Sequence, residues 1–85
     1  MKRYCKEGAN LSLGEEIRTV RQKSFYSQEA FAKELHVALS TVNRWEMNRI
    51  CPNLSAMKSI NEFCSQHNLE FGNIEQEWLR AKSNK

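Results

Sequence analysis

The chain has 85 residues, a net charge of +3, three glycines and one proline, which is enough for one small domain with a single modest core. No stretch approaches the ~20 apolar residues of a membrane span, so a transmembrane segment is excluded. No run of strand-like alternation occurs, which excludes a sheet-built fold and points to an all-α one.

The positive charge sits at the two ends. Residues 1–24 carry +3, residues 25–72 carry −1 and residues 73–85 carry +1. A basic balance suits a polyanionic partner, but here recognition must rest on where a few cations point. Cys5, Cys51 and Cys64 form an odd set without a CxxC pair, which argues for reduced thiols and a cytoplasmic location. The start MKRYCK is followed by no apolar segment, so no signal peptide is expected.

Residues 1–11 show no periodicity and read as a flexible basic arm; Lys2, Arg3 and Lys6 fit a solvated terminus better than a minor-groove contact. Ser12 and Glu15 have the spacing of a capping box. They open a helix to about Ser24 with Leu13, Ile17 and Val20 on one stripe. Ser27 caps a second helix, Gln28 to Leu35, with Phe31 and Leu35 inward and small Ala30 and Ala32 for close approach. His36-Val37-Ala38 is a tight turn, and a third helix follows from Leu39 to about Met47, ended by Asn48. Pro52-Asn53 starts a fourth helix with Leu54, Met57, Ile60, Phe63 and Cys64 on its apolar face. Asn73 is the expected cap of a fifth, Ile74 to Lys82, carrying Trp78 and Leu79.

Two short helices joined by a tight turn, Ser27 to Asn48, have the layout of a helix-turn-helix, whose second helix lies in the major groove of DNA. At about 100° per residue, Val42 and Trp45 fall on one side of the third helix and Leu39, Ser40, Asn43 and Arg44 on the other. That outward set suits base edges. Arginine donates twice to guanine, asparagine donates and accepts at adenine, serine is tolerant, and leucine presses on a thymine methyl.

Leu13-Gly14, Ile17-Arg18, Arg21, Ser27-Gln28-Glu29, Ala32, Leu35, Val37, Val42, Trp45-Glu46 and Pro52 together resemble the phage repressor/Cro-like helix-turn-helix proteins, the XRE family. The resemblance covers about residues 13–67. It implies a compact five-helix, repressor-like bundle, usually a homodimer on operator DNA. It places Leu39, Ser40 and Arg44 where family members read bases, with Thr41 and Asn43 as secondary readers. Gln28 falls at a phosphate contact that also braces the recognition helix, and Arg21 and Glu46 fall at a partly buried structural ion pair. Arg49 and Asn53 are the further phosphate candidates. The chain departs from the family at three places. His36 stands for the turn glycine, Ala38 for the polar cap of the third helix, and Asn48 for the glycine after it.

Cys51, Cys64 and His67 have a spacing faintly like a zinc site but lack a fourth ligand, so no metal or other cofactor is expected. No phosphate-cradling glycine loop, HExxH or paired nucleophile and base supports catalysis. The expected organisation is an arm over 1–11, a helix-turn-helix domain over 12–72, and a C-terminal helix and tail over 73–85 that is a candidate dimer or protein-partner contact through Trp78. The expected function is a DNA-binding transcriptional regulator, a repressor acting as a dimer on an operator. The alternative is an antitoxin-like or accessory interaction module with secondary DNA binding.

Overall fold

The computed structural model describes residues 12–82, and the side chains of residues 13–81. The basic arm with Lys2, Arg3 and Lys6, and the Ser12 side-chain cap, lie outside what is described.

Five helices follow in order: α1 Ser12–Lys23, α2 Gln28–Leu35, α3 Leu39–Glu46, α4 Leu54–Gln66 and α5 Gly72–Lys82. The described residues contain no strand. Each helix sends one side chain to zero exposure: Ile17, Phe31, Val42, Ile60 and Ile74. Burying each of these stabilises the fold by about 1.5–3 kcal/mol against leaving it in water. They come from all five helices, so the bundle has one core and α5 is part of it. Leu13, Val20, Ala32, Leu35, Trp45, Met57, Phe63 and Cys64 complete it. Phe63 of α4 stands edge-on to Phe31 and to Tyr26, with 5.0 Å between ring centroids in both pairs.

Two helix starts carry a side-chain cap. Ser27 accepts from the Ala30 N–H at 3.0 Å and Asn53 from the Ala56 N–H at 2.8 Å. Ala38, before α3, makes no such bond. α5 starts at Gly72, ahead of the expected Asn73 cap. The Glu75 N–H reaches back to the Phe71 carbonyl at 3.0 Å, so backbone closes the first turn there and Asn73 lies inside the helix.

The helix ends share one solution. Phe25, His36, Asn48 and Asn68 all have φ near +60°, and none is glycine. After each, the chain folds back in a Schellman motif. Tyr26 N–H bonds Arg21 C=O at 3.1 Å, Val37 bonds Ala32 at 2.9 Å, Arg49 bonds Arg44 at 2.8 Å, and Leu69 bonds Cys64 at 2.8 Å. Asparagine tolerates this conformation, histidine less so, and phenylalanine pays for it most.

Gly14 and Trp78 each make a tertiary contact near the end of α3 and the segment after it. Gly14 lies against the end of α3. A Cβ there would sit 2.7 Å from the Glu46 carbonyl oxygen and 2.8 Å from that of Trp45, so only glycine fits. Its N–H, an orphan of the α1 start, donates to the Asn48 side-chain oxygen at 3.1 Å. On the other side, the Trp78 indole N–H donates to the Pro52 carbonyl at 2.7 Å and ties α5 to the segment between α3 and α4. Trp78 is half-buried against the core. Leu79 is the apolar residue α5 leaves half-exposed.

Candidate nucleic-acid interface

α3 divides into two faces. Val42, Trp45 and Glu46 are buried. Leu39, Ser40, Asn43 and Arg44 are exposed, and Thr41 is half-buried. The exposed arc offers an apolar group, a hydroxyl, an amide and a guanidinium, with the Leu39 side at the N-terminal end, the end a recognition helix turns to the bases. Ala38 leaves the first N–H groups of α3 without a side-chain partner.

Among the described residues Glu46 is the one buried charged residue, its side chain fully enclosed. Arg21 grips it with a fork, Nε to Oε2 at 2.6 Å and Nη2 to Oε1 at 3.1 Å, and spends Nη1 on the Tyr26 carbonyl at 2.9 Å. Gln28 donates its Nε2 to Oε1 at 3.0 Å. The other end of that amide, Oε1, accepts from Asn43 Nδ2 at 3.4 Å. A chain of bonds thus runs from α1 through the buried carboxylate to the first residue of α2 and out to the exposed face of α3. Burial alone would push the Glu46 carboxyl up. The Arg21 and Gln28 hydrogen bonds, the Arg21 charge and a bond from Arg18 outweigh it and hold the group below its ordinary range.

The remaining phosphate candidates lie around this core. Gln28 is half-buried at the start of α2, with part of its –NH2 still available beside the free N–H groups of that helix. Arg49 is exposed two residues past the Met47 cap, its backbone pinned to Arg44 by the Schellman bond. Asn53 is exposed; its oxygen is committed to capping α4, which leaves its –NH2 to face outward.

The helix-turn-helix family model (HTH_3) matches residues 17–65. The chain belongs to this family of XRE-type helix-turn-helix proteins. No curated protein and no solved structure gives a significant match. Membership makes the chain a DNA-binding transcription regulator. The matched span runs from the middle of α1 to the end of α4. This helix-turn-helix protein therefore builds its core with one helix, α5, outside the span it shares with its family.

Sequence reasoning passed over two residues that the structure brings to this site. Arg18 donates its Nε to Glu46 Oε1 at 3.4 Å while its side chain is half-exposed. The helical offset of three residues between Arg18 and Arg21 was the available signal, since it puts both on one face of α1. Asn48 ends α3 as its sequence position suggests, and its side chain also secures Gly14.

The zinc-like spacing of Cys51, Cys64 and His67 has no counterpart in space. Among the described residues no group of three or more His, Cys, Asp or Glu stands close enough to hold a metal. Cys64 is buried, and desolvation pushes its thiol up to about 11, against a thiolate ligand. No helix among the described residues is long and apolar enough to cross a membrane.

Proposed function

We propose that this protein is a repressor that binds an operator as a homodimer. Leu39, Ser40 and Arg44 read bases, with Thr41 and Asn43 in support, and Gln28, Arg49 and Asn53 hold phosphates. The observation that carries the reading is the bond chain Arg21–Glu46–Gln28–Asn43, which fixes the first residue of α2 relative to the exposed arc of α3. A phosphate contact and a base-reading face locked in one geometry give register on the duplex, and register is what turns non-specific attraction into readout. The dimer follows from size. One short recognition helix reads few base pairs, and two-fold pairing doubles them with half-sites about 34 Å apart. The described residues span 32 Å in their longest dimension, a size compatible with two copies on successive major-groove faces.

Selection of bound sequences from random duplex DNA tests this. The expected product is an inverted repeat with half-site centres about 10 bp apart or a multiple of it. A single asymmetric half-site, protected at saturation, removes the dimer from the proposal.

The alternative reading is an antitoxin-like or accessory module in which α5, with Leu79 half-exposed, binds a protein partner and DNA binding is secondary. Salt separates the two. Phosphate contacts lose affinity steeply with salt, whereas an apolar contact through Leu79 changes little.

A further inference from the structure

We propose that Arg18 is a phosphate clamp that works with Gln28 across the buried carboxylate of Glu46; the proposal rests on the DNA-binding reading above and names a contact outside the helix-turn-helix motif itself. Two cations, Arg18 and Arg21, converge on the single carboxylate of Glu46, so the cluster carries one positive charge in excess. The two arginines are not equivalent. Arg21 uses Nε and both Nη groups within the protein, and its side chain is 13% exposed. Arg18 makes one contact at 3.4 Å, and its side chain is 49% exposed. The excess charge therefore resides on Arg18.

The acceptor it touches is already full. Glu46 Oε1 takes Arg21 Nη2 at 3.1 Å, Gln28 Nε2 at 3.0 Å and Arg18 Nε at 3.4 Å. A carboxylate oxygen has two lone pairs, so three donors oversubscribe it, and the longest and most exposed of them is the one that gives way. Arg18 keeps both Nη groups, four N–H donors in a planar fork, with no partner among the described residues.

Position then selects the ligand. Arg18 and Gln28 donate to the same oxygen, so both donor atoms lie within 3.4 Å of one point, and the free Arg18 fork extends from there. Gln28 is the first residue of α2 and stands on the same side as the exposed arc of α3 through its bond to Asn43. A phosphate placed there meets the Gln28 –NH2, the free N–H groups of α2 and the Arg18 fork together. Glu46 loses little when Arg18 turns outward, because Arg21 and Gln28 still satisfy it.

The test uses the full chain with three variants, Arg18→Ala, Arg18→Lys and, as a distant exposed charge on α4, Lys58→Ala. Each is titrated at several salt concentrations on the selected operator and on scrambled duplex. Arg18→Ala is expected to reduce the salt slope by about one unit on both DNAs, without changing base preference or the melting temperature by more than a few degrees. Arg18→Lys, which keeps the charge, is expected to restore most of the slope. An Arg18→Ala variant that loses affinity with its slope intact shows that Arg18 only positions Glu46, and overturns the clamp. Equal loss of slope in Lys58→Ala shows a general charge effect, and overturns it as well. Failure of the wild-type chain to bind either duplex in a salt-dependent way overturns the DNA reading itself, whereas the first two outcomes leave that reading standing.

Discussion

The side-chain amide of Gln28 donates to Glu46 Oε1 at 3.0 Å, tying the first residue of α2 to the last residue of α3. The two residues have different duties at that bond. Glu46 is enclosed and holds two helices to a third; Gln28 is half-buried and still has a hydrogen to give.

Glu46→Ala is accordingly expected to destabilise the fold, since it strands the largely buried Arg21 charge. Breaking a buried pair costs about 3–5 kcal/mol, toward the low end here because Arg21 keeps some access to water. Gln28→Ala is expected to leave the melting temperature within a few degrees of wild type and to weaken binding to all DNA sequences. Thermal melts and binding titrations on the two variants check this. A Gln28→Ala protein that melts as early as Glu46→Ala would place Gln28 in the structural pair and out of the DNA contact.

The same carboxylate sets an acid limit. Its folded-state pKa lies below the ordinary 4.5, because its hydrogen bonds and the Arg21 charge outweigh burial. A lowered carboxylate pKa contributes stability that is fully present above the unfolded value and is lost as pH falls through the folded one. The wild-type melting temperature should therefore drop below about pH 4.5, and Glu46→Gln should be less stable at neutral pH with a smaller drop over the same acid range. Parallel curves for the two proteins below that pH would show that other carboxylates account for the acid sensitivity.

Phe25 is 94% exposed and held at φ 61°. A left-handed conformation costs an L-residue roughly 1–2 kcal/mol, and here no buried contact of the ring offsets it. Glycine removes the strain but loses more entropy on folding, so Phe25→Gly should stabilise by ~0.5–1 kcal/mol, or a few degrees in melting temperature for a domain of this size. A lower melting temperature for Phe25→Gly would mean that the ring makes contacts in solution that stabilise the α1–α2 turn.

Gly14 poses the opposite case. Its missing Cβ would stand within 3 Å of two backbone carbonyl oxygens of α3, and backbone does not step aside. Gly14→Ala should push α1 away from the end of α3 and cost about 1–3 kcal/mol despite alanine's better helix propensity. Unchanged stability on chemical denaturation would show that α1 and α3 can separate without loss.

These two residues mark how far the sequence was legible. The boundaries of α2, α3 and α4 follow from apolar stripes and capping side chains, both of which leave a periodic or local trace. The left-handed ends at His36 and Asn48 were legible because they fall where the family has glycine. The end at Phe25 was not, since nothing in Gln-Lys-Ser-Phe-Tyr-Ser marks a turn and the bonds to Arg21 and Gln22 exist only once α1 has formed. Ile74 enters the common core and Trp78 bonds Pro52, contacts that no local signal announces. Arg18 was missed for the same reason: its partner, Glu46, is 28 residues away.

Reading and anchoring should separate between Arg44 and Arg49. Arg44 is exposed within the helical arc that carries Leu39 and Ser40, and its fork can span two acceptors of one guanine. Arg49 is exposed just past the left-handed Asn48, and a backbone bond to Arg44 fixes where its chain leaves the end of α3. Arg44→Ala should cost ~1–3 kcal/mol on the best site and relax preference at one base position. Arg49→Ala should weaken all sequences about equally and lower the salt slope by about one unit. Matched titrations on the selected site and on scrambled DNA, at several salt concentrations, distinguish them. Equal weakening of both DNAs by Arg44→Ala would make Arg44 a phosphate anchor and shift the reading face toward Leu39, Ser40 and Thr41 at the N-terminal end of α3.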